Sequence, residues 1–245
     1  MKRYILFFAI VISAIGAQAQ AGYNYYELGL EGGISYERAY TNVPQQNNHV
    51  GFNGSFIYNY NPYLPIAFEI QKGEFSGGGL PPLDRYGRSF DNRFLAAYLH
   101  MDVHLGSFID YGHSWILNVV KDFYAGSGFG IVLNNVVQRQ DTNPLPQNGP
   151  TDYVFPGSKH RKNFSVPFRF GYEYKIYDSY NEPGWAIDVG YNHYIVLHEG
   201  LSGYDDPPSK FKNNAIDQYR QFYIGFKYFF GNTVSYNKLV RDYGF

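Results

Sequence analysis

Residues 164–176 read Phe164-Ser165-Val166-Pro167-Phe168-Arg169-Phe170-Gly171-Tyr172-Glu173-Tyr174-Lys175-Ile176. Apolar and aromatic residues alternate with Ser165, Arg169, Gly171, Glu173 and Lys175. Period two marks a strand, because successive side chains leave a pleated backbone on opposite faces. The two faces of this strand need unlike surroundings. With lipid on one side, a reversed strand would place Arg169 and Lys175 in hydrocarbon at a cost of ~2–4 kcal/mol each near the midplane. No comparable penalty opposes Phe168 and Phe170 facing outward.

Seven further runs repeat the alternation with the same sense. Residues 26–37 set Tyr26, Leu28, Leu30, Ile34 and Tyr36 against Glu27, Glu31, Ser35 and Glu37. Residues 49–60 set Val50, Phe52, Phe56, Tyr58 and Tyr60 against Asn53, Ser55 and Asn59. In 64–75, Leu64, Ile66, Phe68 and Ile70 oppose Ala67, Glu69 and Gln71. In 93–105, Leu95, Leu99, Met101 and Val103 oppose Tyr98, His100, Asp102 and His104. Residues 123–135 place Ala125, Phe129, Ile131 and Leu133 opposite Gly126, Gly128, Gly130 and Asn134. Residues 185–196 place Trp185, Ile187, Val189 and Tyr191 opposite Asp188, Gly190, Asn192 and Tyr194. Residues 219–230 place Phe222, Ile224, Phe226, Tyr228 and Phe230 opposite Gln221, Tyr223, Gly225 and Lys227.

Each run is close to or above the ~9–11 residues a tilted strand needs to cross a bilayer. The number of runs is even, as single-chain bacterial barrels require. An open sheet edge in lipid would leave backbone groups without partners, so the sheet must close. The fold class expected is therefore all-β: an eight-stranded antiparallel up-and-down transmembrane β-barrel with one short periplasmic helix. Leu28, Leu30, Phe52, Phe56, Phe68, Leu99, Phe129, Phe168, Phe170, Ile187 and Phe226 are its expected lipid-facing residues.

Connections alternate in length. Those at about 38–48, 76–92, 136–163 and 197–218 are long and rich in Pro, Gly, Asn and charge. Those after the second and sixth runs are the turns Asn61-Pro62-Tyr63 and Tyr177 to Gly184. Long loops outside and short turns inside put both mature termini in the periplasm. Residues 106–122 break the rule, being long on the short side. Trp115, Ile116, Val119, Val120 and Phe123 recur there at helical spacing, which predicts a short amphipathic helix covering the barrel rim. A docking surface for a periplasmic partner is the alternative. Pro65 and Pro167 cannot donate to a ladder and are placed near strand ends.

Lys2 and Arg3 precede an apolar run from Tyr4 to Ile15 and the small-x-small triplet Ala17-Gln18-Ala19. This predicts a signal peptide over 1–19, since the run falls short of the ~20 apolar residues of a spanning helix. The barrel is assigned to 20–231 and a periplasmic tail to 232–245. The chain has 245 residues and no cysteine. Losing Lys2 and Arg3 takes its charge from −1 to −3, which argues against a nucleic-acid partner. Aromatic residues make up 20%, with 26 Tyr and 21 Phe, yet the mean hydropathy is −0.37. A wall that is oily outside and polar inside needs both.

Three stretches carry a family resemblance: Tyr26-Glu-Leu-Gly-Leu-Glu-Gly-Gly-Ile-Ser-Tyr36, Phe123-Tyr-Ala-Gly-Ser-Gly-Phe-Gly-Ile-Val-Leu133 and Phe222-Tyr-Ile-Gly-Phe-Lys-Tyr-Phe-Phe230. With the signal peptide, they make the chain resemble the small outer-membrane β-barrel proteins common in the Bacteroidota, themselves similar to the OmpA, OmpX and OmpW transmembrane barrels. The resemblance implies a Gram-negative outer membrane and a porin-like architecture. It also implies contact with the barrel-insertion machinery through a terminal aromatic, at Phe230 or Phe245. The family includes adhesins and small porins, so the resemblance is specific for architecture and weak for activity.

His100, Asp102 and His104 share one inward face. Neighbouring same-face residues lie ~6.5–7 Å apart and could share a zinc ion, but all three span ~13 Å, too far for one ion with ~2 Å bonds. A polar network with Arg169 and Lys227 is the reading taken, because buried charges need partners. No metal or cofactor is expected. The acids Glu27, Glu31, Glu69, Glu173 and Asp188 face Arg93, Arg169, Lys175 and Lys227 across the lumen. An eight-stranded interior is just wide enough for side chains to fill, so these groups form an ion-pair plug. That favours a structural or surface-interaction role, with a narrow passive channel as the alternative.

Gly126-Ser-Gly-Phe-Gly130 looks like a phosphate loop, but no helix follows, and the glycines instead make room for larger neighbours. His193, near Tyr194, His198 and Glu199, raises a second alternative, an outer-membrane lipid-modifying enzyme. No partner serine supports it, and His193 is placed in the interfacial girdle. Outer-membrane lipid and lipopolysaccharide are the expected partners, whose phosphates would attract Arg85, Arg88, Arg139, Lys159, His160, Arg161 and Lys162 in the loops. Asp205 and Asp206 are a weak signal for a divalent cation.

Overall fold

A computed structural model describes residues 22–112, 114–180, 182–205, 207 and 216–237. The segment read as a signal peptide and the tail beyond residue 237 lie outside the described residues. Eight strands follow one another: β1 (Gly22–Tyr40), β2 (Asn48–Asn61), β3 (Leu64–Gly78), β4 (Ser89–His104), β5 (Phe123–Arg139), β6 (His160–Tyr177), β7 (Pro183–Leu197) and β8 (Gln218–Asn237). Each pairs antiparallel with the next, and β8 returns to β1 to close the barrel. Closure gives the wall no free edge.

All eight alternating runs are strands, and most continue past the ends read from the alternation. β5, for example, reaches Arg139 and β6 starts at His160. The hydrophobic pattern fades where both faces meet polar surroundings, whereas the hydrogen-bond ladder does not depend on it. The barrel boundary at 231 is corrected for the same reason. β8 runs on to Asn237, pairing Thr233 to Asn237 with Tyr26 to Gly22, and Thr233, Val234 and Tyr236 favour extended backbone.

The prolines divide. Pro65 sits beside the β2–β3 irregularity between Asn59 and Asn61, near a strand end. Pro167 does not lie near an end, because β6 begins well before it. It is tolerated because the β5–β6 ladder is interrupted between Ser127↔Phe168 and Gly130↔Ser165. Ser127 Oγ bridges that gap by donating to the Pro167 carbonyl at 2.8 Å.

Pleating sets the two faces. Leu30, Phe52, Phe56, Phe68, Leu99, Phe129, Phe168, Phe170, Ile187 and Phe226 are exposed on the outside, and Leu28 is half-buried beside Gly231. Phe168 and Phe170 expose 41% and 53% of their surface, while Arg169 between them exposes 2%. On β5, glycines give the interior room. A Cβ on Gly126 would stand 1.9 Å from Asp102 Oδ1, and one on Gly128 would stand 2.2 Å from the Leu99 carbonyl oxygen.

Residues 105–122 hold a 3-10 turn, Leu105–Ser107, and helix α1, Trp115–Val120, capped by Ser114. The helix forms, but its apolar side chains do not cover the rim. Trp115, Ile116 and Leu117 are exposed. The rim is covered instead by Tyr111 and Lys121, both buried, with Lys121 Nζ 4.9 Å from the Tyr111 ring. Six residues give too short a helix to aim a full apolar stripe inward.

Gly128→Ala should lower barrel stability by about 1–3 kcal/mol, the cost of overpacking, measured by thermal unfolding followed by circular dichroism. Gly32→Ala, whose Cβ would meet nothing within 4 Å, should not. Equal behaviour of the two would contradict the packed interior.

Candidate functional site

The lumen is filled in layers. Its charged layer lies toward the short-turn end. Arg169 projects from β6 and is met by Glu69 Oε2 of β3 and Asp102 Oδ1 of β4, each at 3.1 Å. Its Nη2 donates to Tyr223 Oη at 3.3 Å. His100 stands between the same carboxylates, 3.5 Å from Glu69 Oε2 and from Asp102 Oδ2. Lys227 Nζ bridges Glu173 Oε2 and Asp188 Oδ2, both at 2.6 Å. Lys175 Nζ reaches Asp122 Oδ1 at 3.0 Å and Glu173 Oε1 at 3.5 Å, and donates to the Pro62 carbonyl at 3.0 Å. Tyr124 donates to Asp188 Oδ1 at 2.9 Å and hydrogen-bonds Tyr223. His104 packs its ring on Tyr124. All eight strands contribute to this layer, from Glu31 on β1 and Asn53 on β2, whose Nδ2 donates to Glu69 Oε1 at 3.3 Å, round to Lys227 on β8.

Next comes an amide and hydroxyl layer. Gln71 Nε2 donates to Tyr194 Oη at 2.6 Å, Tyr194 Oη to Gln221 Oε1 at 3.1 Å, and Gln221 Nε2 to Glu37 Oε2 at 2.9 Å. Tyr98 and Tyr219 share a 2.7 Å bond. Above it, Phe75, Phe94, Val132, Val136 and Val196 form an apolar plug with Phe155, Leu201 and Tyr204 from the long loops. Those loops form a fixed lid. Arg88 lies buried on Asp84 at 3.0 Å, Arg139 Nη1 donates to the Gly203 carbonyl at 2.6 Å, and Asn92 Nδ2 donates to the Leu201 carbonyl at 2.9 Å. The backbone N–H groups of Gly200 and Leu201 both donate to Asp217 Oδ2 at 2.7 Å. At the other end Tyr25, Tyr63 and Tyr111 pack together. The cavity between Tyr25 and His104, Glu173 and Lys175 measures about 20 Å³, room for one water.

Ten of the sequence-assigned lumen residues are buried inside: Glu31, Glu69, His100, Asp102, His104, Arg169, Glu173, Lys175, Asp188 and Lys227. Glu27 lies half-buried at the short-turn mouth, accepting from Asn232 Nδ2 at 3.3 Å. Arg93 is a correction. It shares the outward parity of Leu95 and Leu99 and pairs with Glu74 at 3.0 Å on the exposed wall. Its charge suggested the lumen, but pleating decides the side. Four of the loop cations have partners within the protein. Arg88 and Arg139 are consumed within the lid, Lys159 pairs with Asp141 at 3.0 Å, and Arg161 pairs with Asp205 at 2.8 Å. Asp206 lies outside the described residues. His193 is outward, within hydrogen-bond distance of Gln218 Oε1 and Tyr191 Oη. Sequence reasoning missed Asp122 and Asp217, which lie just outside strands where parity assigns no side. It also left Tyr124 out of the network despite its inward parity.

No family model matches the chain, and no curated protein matches it. Among solved structures it is similar to Neisserial surface protein A, at 10% identity over 86% of this chain and 100% of that one, with a TM-score of 0.47. It is also similar to the outer membrane protein OprG of Pseudomonas aeruginosa, at 11% identity over 86% and 99%, TM-score 0.42. The N-terminal β-barrel domain of OprF from the same organism matches at 9% over 81% and 97%, TM-score 0.35. The closed ladder, rather than these overlays, establishes the fold.

Arg169→Met should destabilise the barrel by about 3–5 kcal/mol, because it strands two buried carboxylates. Adding Glu69→Gln and Asp102→Asn should recover much of that loss in denaturant unfolding. The lid should respond to pH. Burial pushes the Asp217 carboxyl up to about 7, against the Leu201 and Gly200 N–H donors; Glu199 adds to the rise and Arg161 opposes it. A folded value above the ordinary ~3.9 means the contribution is full below about 4 and is lost as pH rises through about 7. Lid opening, read from exchange of the Leu201 amide after correction for intrinsic rate, should therefore increase between pH 5 and 9. Asp217→Asn should flatten that dependence.

Proposed function

We propose that this chain is an exported outer-membrane protein whose sealed barrel serves a structural or surface-interaction role, without conduction or catalysis. The observation that carries the reading is the inversion of sides. Phe168, Phe170 and Phe226 stand exposed around the waist while Arg169 and Lys227 are 2% and 3% exposed within. A soluble protein would leave that aromatic belt in water, and exposed apolar patches of such extent mark contact with another phase. The belt also has the right height. From Leu28 to Tyr36 it climbs ~20 Å at ~3.3 Å per residue and ~40° tilt, most of the ~25 Å of outer-membrane barrels. Two mouths closed by side chains and an interior filled by buried ion pairs support the absence of a conducting or catalytic role. The exposed Trp115, Ile116 and Leu117 of α1 lie between Leu105 and Phe123, both exposed at the wall's foot. This favours the inner membrane interface as their setting.

Reconstituted into planar bilayers, the protein should give silent traces; steady unitary conductance would replace this reading with a narrow channel. Phe226→Arg should lower stability in lipid vesicles by about 2–4 kcal/mol. A neutral outcome there, or full solubility without detergent, would remove the membrane assignment.

A further inference from the structure

The outer wall changes character at the long-loop end. On β1 the outward row runs Leu28, Leu30, Gly32, Ile34 and Tyr36, then Arg38; on β8 it runs from Phe230 up to Phe222, then Arg220. The ladder makes Arg38 and Arg220 direct cross-strand partners, with His193 of β7 next in line. On β3 the outward row meets Lys72 and then Glu74, and on β6 it meets Lys162 and then His160. At the short-turn end the rows close on Tyr60, Leu105, Phe123 and Trp185 instead. Among the described strands the outward arginines and lysines stand at the long-loop end, with Glu74 beside Arg93.

Like charges placed directly opposite on a sheet repel. Neither arginine makes an ion pair among the described residues, whereas Arg93 on the same wall is neutralised by Glu74. Arg38 Nε is buried and has no hydrogen-bond partner among the described residues. Tyr40 holds both guanidinium groups, with Arg38 5.8 Å and Arg220 5.5 Å from its ring centre. That contact orients them without using their N–H groups. Directly beneath, Ile34, Tyr36, Val50, Val189, Phe222 and Ile224 line a groove of about 320 Å³ in the wall. Tyr36 and Phe222 are each two residues below an arginine on the same face.

We propose that this face of β1, β2, β7 and β8 binds one phosphorylated, acylated lipid of the outer leaflet. Its phosphate bridges Arg38 and Arg220, and one acyl chain lies along the groove. A guanidinium fork matches phosphate oxygens, and each methylene the groove takes from water adds to retention. The proposal rests on the outer-membrane reading and names the lipid class that reading requires.

The test uses the full mature chain in detergent micelles, with heat-modifiable migration on gels as the check of folding. Native mass spectrometry compares retention of bisphosphorylated lipid A, the same lipid dephosphorylated, and inorganic pyrophosphate. The phosphorylated lipid should be retained at least tenfold better than the dephosphorylated one. Arg38→Gln with Arg220→Gln should erase that difference, and Val50→Trp should weaken lipid retention without changing pyrophosphate binding. Equal retention of both lipids, or discrimination that survives the double variant, overturns the proposal. Pyrophosphate competing as well as the lipid overturns the acyl part and leaves a phosphate site. If the double variant fails the folding check, Arg220→Gln alone decides, with the same loss expected. Wild-type protein that needs no detergent would overturn the membrane reading instead.

Discussion

Arg169 is the group on which the interior depends. It is the largest of the fully buried side chains, and it ties β6 to β3 and β4 across the lumen through Glu69 and Asp102. An interior only wide enough for side chains leaves no water to solvate a lone charge. Each ion must find its counterion from another strand, and that requirement fixes how the strands face one another. Lys227 and Lys175 extend the same logic through Glu173, Asp188 and Asp122. Buried ion pairs of this kind contribute little net stability, but removing one partner is costly. Their main effect is to make one register the only satisfactory one.

The layers above and below turn that network into a sealed object. The stacked rings of Phe75 and Phe94, and of Tyr194 and Tyr219, fill the outer half of the lumen. Phe155 and Leu201 bring the β5–β6 and β7–β8 loops down onto them. The loops are long yet carry buried anchors at Arg88, Arg139 and Asp217, so their length serves closure. Chemistry left over for contact with the surroundings therefore lies on the wall: a belt of aromatic and aliphatic side chains, and above it the paired arginines at 38 and 220.

Most of the fold was legible in the chain because a barrel crossing between unlike phases writes both environments into alternate residues. Phe164 to Ile176 shows this at full contrast, and seven other runs repeat it. The alternation was silent where both faces meet the same surroundings, so the ends of β5, β6 and β8 were read short. It was overridden by residue type at Arg93, which parity placed outside. The prolines show the limit of local reasoning. Pro167 lies well inside β6, and only the gap in the neighbouring ladder explains how the wall accepts it.

The sequence by itself determined the number of strands, their order, the side each residue takes and the ionic character of the interior, since all of these follow from a period-two pattern and loop lengths. Which charges meet was decided only by the tertiary structure. Glu69 and Arg169, or Gln71 and Tyr194, are far apart in the chain and on strands that are not neighbours. They come together because closing the sheet sets the stagger between strands, and stagger depends on the whole ring of hydrogen bonds. The seal at both mouths and the pairing of Arg38 with Arg220 arise from that same closure.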